Sequence, residues 1–257
     1  MSAGVRLLGP DDPAPCIVLN PAGASSFLLV ADHAGCAVPS GLGDLGLEAQ
    51  DFARHIAVDI GVAALGEALS ARLDATLLRQ HYSRLVIDCN RDPARADAIP
   101  PVSDGTPIPA NASLSPEGRA ARIEEIHAPY HAAIAAALGQ RDALGRRTIV
   151  VALHSFTPRM NGFDRPWHAG LLYDRGDTRF AHAVLARLSA AIDAPVGDNE
   201  PYAMDGIDYT VPHHCYPADR LYAELEIRQD LLGSPEGVAQ WAERLAGVLT
   251  AAAGDLV

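Results

Sequence analysis

The chain contains no lysine; all 20 of its basic residues are arginine. That absence excludes enzymes that form a Schiff base on lysine, P-loop nucleotidases and kinases that depend on a catalytic lysine. Cysteine is scarce. Cys16, Cys36, Cys89 and Cys215 lie far apart and form no Cys-x-x-Cys pair, which argues against a disulfide framework and a structural zinc knuckle. No apolar run approaches membrane-spanning length, and the residues after Met1 do not lead into a signal-peptide core. A soluble cytoplasmic protein is therefore expected, with no membrane partner. A net charge of −12 disfavours nucleic acid, which needs clustered cations. Oligomeric state is not legible.

At 257 residues and 49% hydrophobic, the chain suits one domain, spanning 1–257, with a substantial core. Its most informative stretch is Thr148-Ile149-Val150-Val151-Ala152-Leu153, which reads as a strand buried on both faces. The strand ends abruptly in His154-Ser155-Phe156-Thr157-Pro158. Ligands bind at the carboxyl ends of strands in open α/β sheets, so His154 is a candidate site residue, although a lone histidine is more readily explained by hydrogen bonds in a turn, and it is the chemistry at the other strand ends that changes the balance.

Other strands follow the same plan. Phe27 to Ala31 leads into Asp32-His33-Ala34-Gly35. Strands are expected at Ala75 to Leu78 and at Leu85 to Ile87, the latter ending in Asp88-Cys89-Asn90-Arg91. Residues 47–73 carry a helical pattern, with Asp59 a possible cap for a second segment. Residues 93–114 read as a long loop and 195–220 as irregular. Ser115-Pro116-Glu117 and Ser234-Pro235-Glu236 open helices. Alternation of strands and helices implies an α/β fold with a largely parallel sheet.

In the last strand, Leu221 to Ile227, the period of two sets Glu224, Glu226 and Arg228 on one face. Two buried glutamates would need partners; an edge strand with a solvated face explains the pattern equally well. Two histidines and a carboxylate converging at strand ends suggest a hydrolytic metal site, with a free glutamate as the proton carrier. Gly-x-Ser-x-Gly is absent, and no cysteine has a nucleophile signature. His127-Ala128-Pro129-Tyr130-His131 has the His-x-x-x-His spacing but lacks the glutamate, and reads as an exposed helix face. His55 and Asp59 lie one helical turn apart.

Six ordered segments together resemble the N-formylglutamate amidohydrolase family. They are Asp32-His33-Ala34-Gly35 with Val38-Pro39; His55 to Gly61; Tyr82-Ser83-Arg84 through Arg91; His154-Ser155-Phe156-Thr157-Pro158; Asp198 to Tyr202; and Glu226-Ile227-Arg228 through Leu231. The family is in turn similar to zinc carboxypeptidases, which implies a mixed, largely parallel sheet flanked by helices, of the phosphorylase/hydrolase-like type. The resemblance implies one zinc ion on His33 and His154, with Glu226 as general base. The carboxypeptidase ligand glutamate would fall at Cys36, so the third ligand is expected to be Asp59, with Cys36 the alternative. The substrate would be a small anion, N-formyl-L-glutamate first, gripped by Asn90 and Arg91 with help from Arg84, Tyr209 and His213. A peptidase, a deacylase for another N-acyl amino acid, or a non-catalytic binding protein are the rival readings.

Overall fold

The computed structural model describes residues 6–256. Seven strands make one sheet: β1 (Cys16–Leu19), β2 (Phe27–Ala31), β3 (Thr76–Gln80), β4 (Ile149–Phe156), β5 (Ala169–Leu172), β6 (Val196–Asp198) and β7 (Tyr222–Arg228). Their order is β1-β3-β2-β4-β7-β5-β6. β3, β2, β4 and β7 are mutually parallel, as are β5 and β6, while β1 against β3 and β5 against β7 are antiparallel. The sheet is therefore mixed and largely parallel.

Alternation along each strand feeds two apolar layers. Leu29, Val151 and Leu225 pack under α1 (Val62–Leu73), α3 (Arg179–Ala191) and α5 (Pro235–Gly254). Leu28, Val150 and Tyr222 meet α2 (Ala128–Ala143) and α4 (Thr210–Cys215) on the opposite face. Every residue of β4 is buried, as its β-branched run implies. Ser115 and Ser234 cap their helices as expected, each accepting a backbone N–H three residues on, from Gly118 and Gly237.

Several local expectations fail for identifiable reasons. The helix of residues 47–73 exists only from Val62; residues 49–53 form a 3-10 turn and Asp59 lies in irregular chain. Gly61, at φ +82°, is the N-cap, and a Cβ there would meet Leu232 at 2.4 Å. Asp59 is consequently no side-chain cap. Residues 85–87 form no strand: Leu85 and Val86 lie in a turn and Ile87 in irregular chain, and all three bury into a separate apolar cluster beyond the sheet. β7 is central, not an edge, with both faces covered. His127 and His131 are buried, not exposed. His127 ends a π-helical turn at Ile123–His127 and His131 lies in the first turn of α2 after it, on either side of Pro129, which has no N–H to give the helical ladder. Among the described residues no helix is long and apolar enough to cross a membrane.

Candidate metal centre and active site

β2 and β4 are neighbours, so their carboxyl ends bring distant chemistry together. His33 follows β2 in a turn, and His154 sits near the end of β4. Asp59, just before α1, is tied to this turn by its backbone N–H, which donates to the His33 carbonyl at 2.9 Å. Gly35 lets the turn press on the neighbouring chain: a Cβ there would lie 2.0 Å from the His81 carbonyl oxygen. The outcome is a buried cluster in which one ligand atom from each of His33, Asp59 and His154 lies within 4.8 Å of the others.

Asp59 Oδ2 is the shared corner. It lies 3.0 Å from His154 Nδ1 and 3.4 Å from His33 Nδ1. The Ser155 backbone N–H also donates to it, at 3.3 Å. The other His33 nitrogen, Nε2, lies 2.7 Å from Asp88 Oδ1. Arg84 then holds Asp88, with Nε and Nη2 at 3.1 and 2.6 Å from its second oxygen. A carboxylate behind a histidine orients a ring and raises its basicity as a ligand.

The electrostatics of the cluster favour positive charge. Burial and Arg84 push His33 down, but Asp88 and Asp59 more than offset them and raise it. Burial likewise opposes protonation of His154, yet Asp59 and the two glutamates of β7 hold it well above its ordinary value. Burial would raise Asp59, but His33 and His154 keep it well below the carboxylate range. Two nitrogen donors and one carboxylate oxygen in a buried, electronegative niche, with His33 Nδ1 lacking a hydrogen-bond partner, fit a divalent metal of the zinc type. Cys36 is exposed and outside the cluster.

Beside the cluster opens a cleft of about 320 Å³, within the range of small-molecule sites. Glu226 and Glu224 line it from β7. Each has an Oε2 with no hydrogen-bond partner. Burial lifts Glu226 to about 7, and lifts Glu224, with Asp208 adding to it, well above the carboxylate range.

Arg84, Asn90 and Arg91 also line the cleft, each already engaged. Arg84 is occupied by Asp88. Asn90 Oδ1 accepts the backbone N–H groups of Tyr209 and Thr210, both at 2.9 Å, while its Nδ2 donates to Asp208 at 3.1 Å. Arg91 Nη1 donates to the Asn90 carbonyl at 2.8 Å and lies 3.7 Å from Asp208. Tyr209 and His213 do not line the cleft. The Asn90 bonds fix the backbone there, and the two rings stack on each other at 4.7 Å, beside His131. Asp208 and Tyr202 do line it. Tyr202 lies in a segment that carries the family resemblance; Asp208 had no sequence signal, since it sits in aperiodic chain.

Comparison with known proteins gives the class, a hydrolase acting on amides. The model of the N-formylglutamate amidohydrolase family matches residues 25–232. The chain belongs to the N-formylglutamate amidohydrolase family. A gene product of Agrobacterium tumefaciens has a crystal structure that superposes with a TM-score of 0.94 at 35% identity, covering 98% of this chain and 99% of that one. N-formylglutamate amidohydrolase from Ralstonia eutropha shares the fold, with a TM-score of 0.64 at 24% identity over 92% of this chain and 96% of its own. A metallo-carboxypeptidase from Burkholderia cenocepacia, at 13% identity and a TM-score of 0.41 over 94% of this chain and 61% of that chain, is too remote to bear weight. A search of curated proteins returned no match.

Proposed function

We propose that the chain is a zinc-dependent amidohydrolase that removes a formyl, or another small acyl, group from an acidic amino acid. N-formyl-L-glutamate is the leading substrate, giving formate and glutamate in the cytoplasm, as at the end of some histidine degradation routes. The reading is supported above all by the buried His33, Asp59 and His154 cluster with Glu226 in the adjoining cleft.

Bound to those three side chains, zinc would supply Lewis-acid polarisation of the amide carbonyl and acidify a water towards neutrality. Glu226, whose burial lifts it to about 7, is suited to both halves of the proton's journey. Its Oε2 takes a proton from the attacking water and gives it to the amide nitrogen as the carbon–nitrogen bond breaks. The products are a carboxylate and an ammonium group, the second proton of the water passing from the new carboxyl to the freed amine. Burial also raises Glu224 well above the carboxylate range, but only Glu226 falls in the Glu-Ile-Arg segment that carries the family resemblance. Arg91 supplies a planar guanidinium to a substrate carboxylate, Asn90 holds the Asp208–Thr210 segment beside it, and Arg84 orients Asp88.

A second reading, a deacylase for a different N-acyl amino acid, is favoured by one observation. Both cleft arginines already face carboxylates, Asp88 for Arg84 and Asp208 for Arg91, which reduces the attraction for a doubly anionic substrate. Formate or acyl release across a panel of N-acyl acidic, neutral and basic amino acids tests both. Preference for N-formyl-L-glutamate supports the first; preference for a neutral or basic member replaces it with the second.

A further inference from the structure

We propose that Asp32 and Tyr130 position His154 as a metal ligand, in the way that Asp88 and Arg84 position His33; this rests on the metal reading above. Each imidazole lies between the shared carboxylate of Asp59 and an outer carboxylate of its own. On the His33 side, the outer contact is closed, with Nε2 at 2.7 Å from Asp88 Oδ1. On the His154 side, Nε2 faces Asp32 Oδ2 across 3.7 Å, just outside hydrogen-bond reach. The other Asp32 oxygen accepts the Tyr130 hydroxyl at 2.7 Å.

Asp32, Tyr130 and His154 are all buried. Asp32 Oδ2 and His154 Nε2 both lack a hydrogen-bond partner, and leaving such atoms unsatisfied in the interior is costly. Each is the chemical complement of the other, a carboxylate acceptor and a ring N–H donor. His154 Nδ1 points at Asp59, the ligand side. To serve there it must be unprotonated, which puts the proton of the neutral ring on Nε2, towards Asp32. Burial, with Asp32 adding to it, raises the Tyr130 hydroxyl well above the phenol range, so it acts as a fixed donor to Asp32.

The geometry has a simple origin in the chain. Asp32 and His33 are adjacent in the turn after β2, so one turn supplies a ligand to the cluster and the outer carboxylate to the ligand on β4. Tyr130 reaches that carboxylate from α2. Removing its hydroxyl leaves a buried phenyl ring of nearly the same shape, which separates positioning from packing.

The test is metal binding by metal-free protein, followed by zinc competition and by the visible spectrum of the Co(II) form, for wild type, Asp32→Asn and Tyr130→Phe. Asp32→Asn is expected to bind about 10–100-fold more weakly. Tyr130→Phe should show a smaller loss of the same sign, and both should shift the Co(II) spectrum. Long-range proton–nitrogen spectra of the metal-bound wild type should place the His154 proton on Nε2. If Asp32→Asn does not fold, Tyr130→Phe decides. Wild-type affinity and spectrum in both variants would overturn the positioning role alone. A wild type that binds no metal would overturn it together with the reading beneath it.

Discussion

Glu226 and His154 stand opposite one another in register on the parallel strands β7 and β4. That pairing puts a buried carboxylate beside a histidine of the His33, Asp59 and His154 cluster without any contribution from a loop. Sites built on strands hold their geometry better than sites on mobile chain.

Glu226→Gln should therefore keep the fold and the metal but lose at least about 10²-fold in turnover, the usual scale for a positioned general base. Glu224→Gln should cost far less, because only Glu226 falls in the Glu-Ile-Arg segment that carries the family resemblance. Steady-state kinetics on both variants checks this. Equal losses would contradict the assignment of Glu226.

His33→Ala and His154→Ala should purify folded but metal-poor, and Asp59→Ala likewise. Cys36→Ser should bind metal normally, since Cys36 is exposed and outside the cluster. Metal analysis of the purified variants is the measurement. Normal metal content in Asp59→Ala would remove it from the ligand set.

The sheet and the two histidine-bearing strand ends were legible because a fully buried parallel strand is a long apolar run that stops sharply. Asp59 was harder to read. The residues before it carry a helical pattern, yet tertiary bonds to the His33 turn win over local propensity. Glu224 and Glu226 could equally have marked a solvated edge. What the period of two cannot tell is which strand lies next, and β5 comes from elsewhere in the sequence to cover that flank. That Tyr209 and His213 do not line the cleft has the same character: a short aperiodic segment contains no signal for which way its side chains face. The spacing of His127 and His131 suggests an exposed face because it does not reveal the backbone carbonyls of Arg91 and Cys89, to which they bond.

Arg91→Lys should weaken catalytic efficiency on the acidic substrate while leaving metal content unchanged. Loss of a charge-assisted bond of about 1.5–3 kcal/mol corresponds to about 10- to 150-fold. A substrate analogue whose α-carboxylate is an amide should be nearly indifferent to the change. Wild type and variant are compared on both compounds. An equal penalty on the two would make Arg91 a structural residue.

Buried His131 and His214 contribute a loss of stability in mild acid, opposite in sign to the contribution of the raised His33 and His154. Burial holds His131 down to about 2 and His214 down to about 4, whereas the unfolded chain takes up the same protons near pH 6.5. A depressed folded value means that stability is complete above about 6.5 and falls as the pH drops below it, by about 1.4 kcal/mol per pH unit for each histidine. Urea unfolding midpoints at pH 7 and pH 5.5 should differ more for wild type than for His214→Gln. An identical pH dependence would show that His214 is not the source.

The most direct test of the central claim joins metal content to turnover on one preparation. Protein as isolated should carry about one zinc per chain and release formate from N-formyl-L-glutamate in step with glutamate. Chelation should abolish the release, and added zinc should restore it. Formate release at full rate from protein stripped of metal would contradict the account.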